Sequence, residues 1–141
     1  EVALQRSTAT QHTLDVDLPD APLWCPCDRL RIGRMIANLL DNAVKYSPAG
    51  GVIRVGLSVE TSGGRRQGVI TVRDQGMGIP ATDLARIGEA FYRASNVVGV
   101  ARGSGIGLAG AKQIIAQHGG TLTIASMEGS GTTVTVRLPL P

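Results

Sequence analysis

The stretch "NLLDNAVKYSPAGG", residues 38–51, places two asparagines and a lysine on one predicted helix. Asparagine is a poor helix former because its amide competes for backbone hydrogen bonds, so two of them one turn apart need a reason. At about 100° per residue, Asn42 lies roughly 40° from Asn38, and Lys45 lies roughly 20° from it on the other side. The three side chains therefore share one stripe. Amide oxygens and a cation in such a stripe suit a ligand that carries phosphate and a hard metal ion.

The apolar residues of this helix lie on a neighbouring face. That face is centred roughly 120° from the polar stripe by the same arithmetic, so the stripe borders a surface that we expect to be buried. Asp28 is a natural N-cap, and the pattern predicts a helix that runs from there to about Tyr46. The residues that form the predicted buried face are Ile32, Met35, Ile36, Leu39, Leu40 and Ala43.

Strand patterns flank the helix on both sides. "TLDVDLP", residues 13–19, alternates apolar and polar residues as a half-buried strand does. Residues 51–60 and 67–74 alternate in the same way around the turn "TSGGRR", which predicts a hairpin. A second hairpin is predicted near the end of the chain, with strands at 121–126 and 132–139.

Two further helices are predicted between the hairpins. "TDLARIGEA", residues 82–90, reads as a short amphipathic helix, and another helix runs from about Ile106 to Gln117 with Gly119 and Gly120 as its C-cap. The order of elements predicts an α+β fold, a two-layer sandwich with about three helices on one face of a mixed, mostly antiparallel sheet. We place this domain at residues 12–141 and interpret residues 1–11 as a tail or the end of an upstream linker.

Composition excludes several classes of protein. The 141 residues are 43% hydrophobic, which argues against disorder. The net charge is +3, but Lys and Arg are scattered and aromatics reach only 3%, so we expect no nucleic-acid partner. No apolar run approaches the length of a membrane span. Cys25 and Cys27 are too close in sequence for an unstrained disulfide and lack zinc-ligand partners, so we expect reduced, semi-buried thiols in a cytoplasmic domain.

Two glycine-containing stretches hold groups that could bind a ligand. "DQGMGI", residues 74–79, follows a strand, and a carboxylate there can accept a hydrogen bond from an exocyclic amine such as that of adenine. An ordinary Asp-Gly turn has the same residues, so both interpretations stay open. "GSGIGLAGAK", residues 103–112, opens a helix whose backbone N–H groups can hold phosphate. It has neither the ending of a P-loop nor the preceding strand of a dinucleotide fingerprint.

A third stretch, "EAFYR", residues 89–93, precedes a loop-like segment. We expect Phe91 to anchor that loop in the core and Arg93 to face phosphates or solvent.

Taken in order, "NLLDNAVKY", "DQGMGI", "EAFYR", "GSGIGL" and "GGTLTI...GSGTTV" resemble the ATP-binding catalytic domain of sensor histidine kinases. Their superfamily also holds heat-shock chaperone, gyrase and mismatch-repair ATPases. The resemblance runs from about Leu14 to Pro139 and implies the Bergerat fold.

The resemblance implies ATP and Mg²⁺ as cofactors. Asn42, assisted by Asn38, would be the metal ligand, and Lys45 and Arg93 would position phosphates, with no other catalytic residue in the chain. The lid over the nucleotide would be residues 94–104. The remaining residues that the resemblance places against the nucleotide are Tyr46, Asp74, Gly76, Gly78, Ile79, Phe91, Gly103, Ser104, Gly105, Ile106, Gly107, Leu108 and Thr132. Within that set, Asp74 would accept the adenine amine, and Thr132 would support Asp74.

The resemblance also bears on the reaction and its partners. In the ATPases and the serine-kinase branch of the superfamily, a glutamate one turn before the metal-binding asparagine acts as general base. Asn38 stands there in this chain, and an amide cannot take a proton at neutral pH, which favours a histidine kinase. A nucleotide-binding module without turnover is the other alternative, against which Asn42, Asp74 and the glycine-rich stretches argue.

The implied partners lie outside this chain. The resemblance implies a phospho-accepting histidine on a separate dimerisation domain of the same kinase, and a response regulator that receives the phosphoryl group. The chain itself would be a monomer because no segment shows a heptad seam. The parent kinase would be a homodimer anchored in the bacterial inner membrane.

Overall fold

The computed structural model describes residues 12–81, 83 and 106–141. Most of the predicted helix at 82–90 and the whole predicted lid lie outside these residues. The described elements, in chain order, are β1 (His12–Asp17), α1 (Arg29–Lys45), β2 (Gly51–Ser62), β3 (Arg65–Asp74), α2 (Ile106–Gln117), β4 (Thr121–Met127) and β5 (Gly131–Pro139).

The five strands form one sheet in the order β1-β2-β3-β5-β4. β1 pairs with β2 in parallel, and all other pairs are antiparallel, which confirms the predicted mixed, mostly antiparallel sheet. Side chains alternate between the faces of a strand, so one face of the sheet carries the apolar positions of all five strands. The sheet residues that join the helices in the core are Leu14, Val16, Ile53, Val55, Ile70, Val72, Leu122, Ile124, Val134, Val136 and Leu138.

Both described helices cover that apolar face. The residues with which they enter the core are Met35, Leu39, Leu40 and Ala43 from α1, and Leu108, Ala111, Ile114 and Ile115 from α2. The opposite face of the sheet carries ion pairs instead, between Asp15 and Arg54 at 3.6 Å and between Glu60 and Arg137 at 3.4 Å. The domain is therefore the predicted two-layer sandwich.

The ends of the two helices are capped as their sequences predict, and the caps are linked. The carboxylate of Asp28 accepts the N–H of Arg31 at 3.2 Å, as an N-cap does. His118 Nε2 accepts the backbone N–H of Asp28 at 3.0 Å, so Nδ1 carries the proton and donates to the carbonyl of Ile114 at 2.8 Å. His118 thus ties the C-terminal end of α2 to the N-terminal end of α1.

The first hairpin turn is tighter than predicted. We expected residues 61–66 to form the turn, but β2 extends to Ser62 and β3 begins at Arg65. Gly63 and Gly64 make the turn alone, with φ of +58° and +76°. A two-residue turn with both residues at positive φ matches the right-handed twist of the strands, so the polar flanking residues pair although they show no apolar alternation.

Neither described helix is long and apolar enough to cross a lipid bilayer.

The two cysteines are free thiols, as predicted. Cys25 is half-buried, but Cys27 is exposed, so the expectation of two semi-buried thiols is wrong for Cys27. Cys27 lies at a bend just before α1.

Candidate functional site

A cleft lies between α1 and the apolar face of the sheet, near the C-terminal end of β3. Its lining is mostly apolar with a few polar groups, which is the usual composition of a small-molecule site. Seven of the residues predicted to bind nucleotide line it, among them Asn42 and Asp74. The full lining is Leu39, Asn42, Ala43, Tyr46, Val72, Asp74, Gly78, Ile79, Leu108, Ile124, Thr132 and Val134.

Asp74 is the last residue of β3 and is only 7% exposed. Its Oδ1 accepts the backbone N–H of Gly76 at 2.9 Å and the backbone N–H of Thr132 at 3.3 Å. No hydrogen bond to Oδ2 is present among the described residues. Burial raises the pKa of this carboxyl, while the two N–H groups act in the opposite direction. Asp74 is therefore held rigidly through one oxygen and offers the other to a donor in the cleft.

The segment after Asp74 is clamped by backbone contacts on both sides. Met77 donates its N–H to the carbonyl of Tyr46 at 3.0 Å, and Gly129 donates to the carbonyl of Met77 at 2.7 Å. A Cβ on Gly76 would overlap the carbonyl of Tyr46, and a Cβ on Gly78 would overlap the carbonyl of Met127. The two glycines therefore allow close approach to the protein's own backbone, and Gly78 also lines the cleft.

Gly78→Ala is expected to destabilise the domain more than Gly63→Ala. Both glycines have positive φ, at +69° and +58°, so each alanine pays about 1 to 2 kcal/mol of backbone strain. A Cβ at Gly63 meets nothing within 4 Å, whereas one at Gly78 meets the Met127 carbonyl, which adds about 1 to 3 kcal/mol. Urea unfolding of both variants measures the difference, and equal losses of stability would show that the clamp is not tight.

The polar residues of α1 lie on the helix side of the cleft. Asn42 lines the cleft and is half-buried. Asn38, one turn earlier, is also half-buried, and its amide nitrogen lies beside Gly110 of α2. Lys45 Nζ is paired with Asp41 Oδ2 at 2.8 Å, with both side chains well exposed. An exposed pair of this kind contributes only about 0.3 to 0.5 kcal/mol, so a phosphate can compete for Lys45 at small cost.

Several predicted site residues are not placed by the structure. Phe91, Arg93, Gly103, Ser104 and Gly105 lie outside the described residues. Ile106 and Gly107 begin α2, and only their helical backbone is described. Leu108, in the first turn of that helix, is buried against the cleft.

Sequence reasoning missed the apolar walls of the cleft and one hydroxyl. Leu39 and Ala43 of α1 were expected only on the buried face of the helix, and Ile124 and Val134 of the sheet were not singled out. All four line the cleft. Ser126 was not singled out at all. The alternation in "TLTIAS" does place it on the same face as Leu122 and Ile124, which was the available signal.

The comparison with protein families settles the class of this domain. Residues 27–141 match the family described as histidine kinase-, DNA gyrase B- and HSP90-like ATPase. The chain belongs to this family. As a histidine kinase-like ATPase domain it is an ATP-binding domain, and the predicted fold and resemblance are confirmed.

Two of the similar proteins are named as histidine kinases. The sensor histidine kinase WalK of Bacillus subtilis is 37% identical over 94% of this chain and 22% of its own length. The histidine kinase/phosphatase MprB of Mycolicibacterium vanbaalenii is 37% identical over 92% of this chain and 26% of its own length. The chain thus spans about a quarter of these relatives.

Solved structures of the ATPase family agree with this assignment. A mycobacterial MprB structure superposes with a TM-score of 0.82 and 31% identity, covering 99% of this chain and 89% of that one. Full-length ShkA, solved in complex with AMPPNP, superposes with a TM-score of 0.72 and 25% identity, covering 98% of this chain and 29% of that one.

Proposed function

We propose that this domain is the catalytic domain of a sensor histidine kinase, transferring the γ-phosphoryl group of Mg-ATP to a histidine on a separate dimerisation domain. The observation that carries the proposal is Asp74, a buried carboxylate fixed through one oxygen, with the other available in an apolar cleft. The relatives named as sensor histidine kinases favour this reaction over others in the family. The AMPPNP complex of ShkA supports an adenine nucleotide as ligand.

The described residues fit an adenine nucleotide. Asp74 accepts the exocyclic amine of the base, and Ile79 and Val134 offer apolar contact to its faces. The phosphates then extend past Asn42 toward the beginning of α2, where helix N–H groups are oriented for anions. Arg93 and the stretch Gly103 to Leu108 would complete the phosphate site.

Mg²⁺ would be held chiefly by phosphates and water. Among the described residues no group of three or more His, Cys, Asp or Glu side chains is arranged to hold a metal ion. The amide oxygen of Asn42 is a hard ligand at the cleft rim, and Mg²⁺ commonly takes one or two protein ligands and fills its other positions with phosphate and water oxygens. Asn38, one turn earlier, would assist.

In the proposed transfer, an imidazole nitrogen of the acceptor histidine forms a bond to the γ-phosphorus. The bond between that phosphorus and the β,γ-bridging oxygen breaks, and ADP leaves with the electron pair. The imidazole proton passes to an acidic residue of the acceptor domain. This chain contributes position and charge, with Lys45 and Arg93 on the phosphates, because phosphoryl transfer depends mainly on these two factors.

The partners of the proposed reaction follow from it. The phosphohistidine would pass its phosphoryl group to a response regulator. We propose that this domain acts in the cytoplasm, where ATP is available, as part of a membrane-anchored homodimeric kinase. On its own the domain would be a monomer.

We expect the chain to bind Mg-ATP and to hydrolyse it very slowly without an acceptor domain. Asn38 occupies the position of the general base of the related ATPases, and no proton acceptor stands there. Phosphate release measured over hours tests this. Asn38→Glu should raise the hydrolysis rate. Asn38→Gln should not, because glutamine has the shape of glutamate but no proton acceptor. Brisk hydrolysis by the unmodified chain would favour the ATPase alternative.

The transfer itself is tested with a histidine-bearing helical-hairpin domain of a sensor kinase added in trans. Radiolabel from γ-labelled ATP should appear on that domain and be acid-labile, as a phosphohistidine is. Nucleotide binding without any transfer to such a domain would favour a binding module without turnover.

A further inference from the structure

The hydroxyl of Ser126 lies at the centre of a small hydrogen-bond network behind Asp74. Its Oγ accepts the backbone N–H of Ile79 at 2.8 Å and donates to the carbonyl of Gly131 at 2.9 Å. It also lies 2.7 Å from Oγ1 of Thr132, a contact in which either hydroxyl can be the donor. Ser126 is half-buried and does not itself line the cleft.

The direction of the proton between the two hydroxyls follows from the other two contacts. Ser126 has one proton and two lone pairs. The Gly131 carbonyl can only accept, so the proton of Ser126 belongs to that contact. The N–H of Ile79 occupies one lone pair, and the remaining lone pair faces Thr132. All three contacts are satisfied together only if Thr132 donates its proton to Ser126.

A Thr132 hydroxyl that donates to Ser126 has only lone pairs left for the cleft. Thr132 pairs directly with Asp74 across the two strands, on the face of the sheet that forms the cleft. The ionised carboxyl of Asp74 offers its other oxygen as a second acceptor. This end of the cleft therefore presents two adjacent acceptors.

We infer that Ser126 is a positioning residue for base selectivity: it fixes the proton of Thr132 so that the cleft accepts a 6-amino purine and rejects a 6-oxo purine. An exocyclic amine carries two N–H donors for the two acceptors. A 6-oxo group would place a third acceptor against them, and sites built in this way reject the mismatched analogue because polar groups are left unpaired. The inference rests on the proposed binding of an adenine nucleotide.

The test compares non-hydrolysable analogues of ATP and inosine triphosphate by calorimetric titration. In the inosine analogue a 6-oxo group replaces the 6-amino group, and N1 carries a hydrogen. In Ser126→Ala the hydroxyl of Thr132 loses its acceptor and is free to donate to a 6-oxo group. The preference for ATP over the inosine analogue should fall by about three- to tenfold, the value of one hydrogen bond. A merely structural role of Ser126 would weaken both analogues equally and leave this ratio unchanged, which would overturn the inference.

Thr132→Val is a second, independent test, because its result does not require Ser126→Ala to fold stably. Valine keeps the shape and removes the acceptor, so the preference for the 6-amino analogue should fall here too. In the double variant, Ser126→Ala should then cause no additional change in the ratio. An additional change in the valine background, or an unchanged ratio in Thr132→Val, would contradict the inference. Failure of the unmodified chain to bind either analogue would instead contradict the proposed function.

Discussion

Asp74→Asn is expected to lower the affinity for ATP at least about tenfold without unfolding the domain. An asparagine keeps an oxygen for the N–H groups of Gly76 and Thr132, so the structural bonds persist. It presents an NH₂ group where the free oxygen stood, so a charge-assisted bond to the adenine amine, contributing about 1.5 to 3 kcal/mol, is replaced by two opposed donors. Calorimetric titration measures the loss.

Asp15→Asn is the matched control for this substitution, because Asp15 is a carboxylate on the opposite face of the sheet, in an exposed pair with Arg54. It should leave the affinity unchanged. Unchanged ATP affinity in Asp74→Asn would show that Asp74 is an ordinary turn residue, the alternative that its sequence context leaves open.

The stability of Asp74→Asn should depend on pH in a defined direction. Burial raises the pKa of Asp74 in the folded chain, so its stabilising contribution is full in acid, below the pKa of the unfolded state. That contribution is lost as the pH rises through the folded-state pKa. Relative to the unmodified chain, the variant should gain stability in urea unfolding as the pH rises above about 4, the pKa of an unperturbed aspartate. If Asp74→Asn lowers the affinity for ATP without lowering the free energy of unfolding, Asp74 contacts the ligand and is not required for the fold.

Asn42→Ala is expected to reduce phosphoryl transfer to an added histidine-bearing domain by roughly a hundredfold or more, because the metal loses its protein ligand and the phosphate charge is poorly neutralised. Asn42→Asp should retain part of the activity, since a carboxylate oxygen can still bind the metal in altered geometry. Gln113→Ala, which removes an exposed amide from α2, is the control and should transfer normally. Full transfer by Asn42→Ala would contradict the assigned role of Asn42.

Local patterns predicted the elements of this fold but not all of their pairing. The Asp28 cap and the apolar face of α1 predicted that helix to within a residue at each end, because both signals lie within the helix itself. The insertion of β5 between β3 and β4, and the parallel pairing of β1 at the sheet edge, depend on contacts between distant segments. Period-two alternation marks a strand and does not choose its neighbour.

In the candidate site, too, local signals could be predicted from sequence and contacts between distant segments could not. Asp74 could be named from its motif, whereas its support by Thr132, 58 residues later, was expected only from the family resemblance. Alternation places Ser126 on the cleft side of β4 but does not single it out, because its contacts with Ile79 and Gly131 arise only when the strands pair. The polar stripe of α1 was predicted correctly as a border of the core, and of its three residues only Asn42 lines the cleft.

The cleft beside Asp74 is expected to bind an adenine nucleotide together with Mg²⁺. Calorimetric titration of the chain with a non-hydrolysable ATP analogue, with and without Mg²⁺, tests it most directly. We expect one nucleotide per chain, tighter binding with Mg²⁺, and weak binding of the corresponding guanine analogue under both conditions. Absence of binding by the ATP analogue, or equal binding of the guanine analogue, would contradict it.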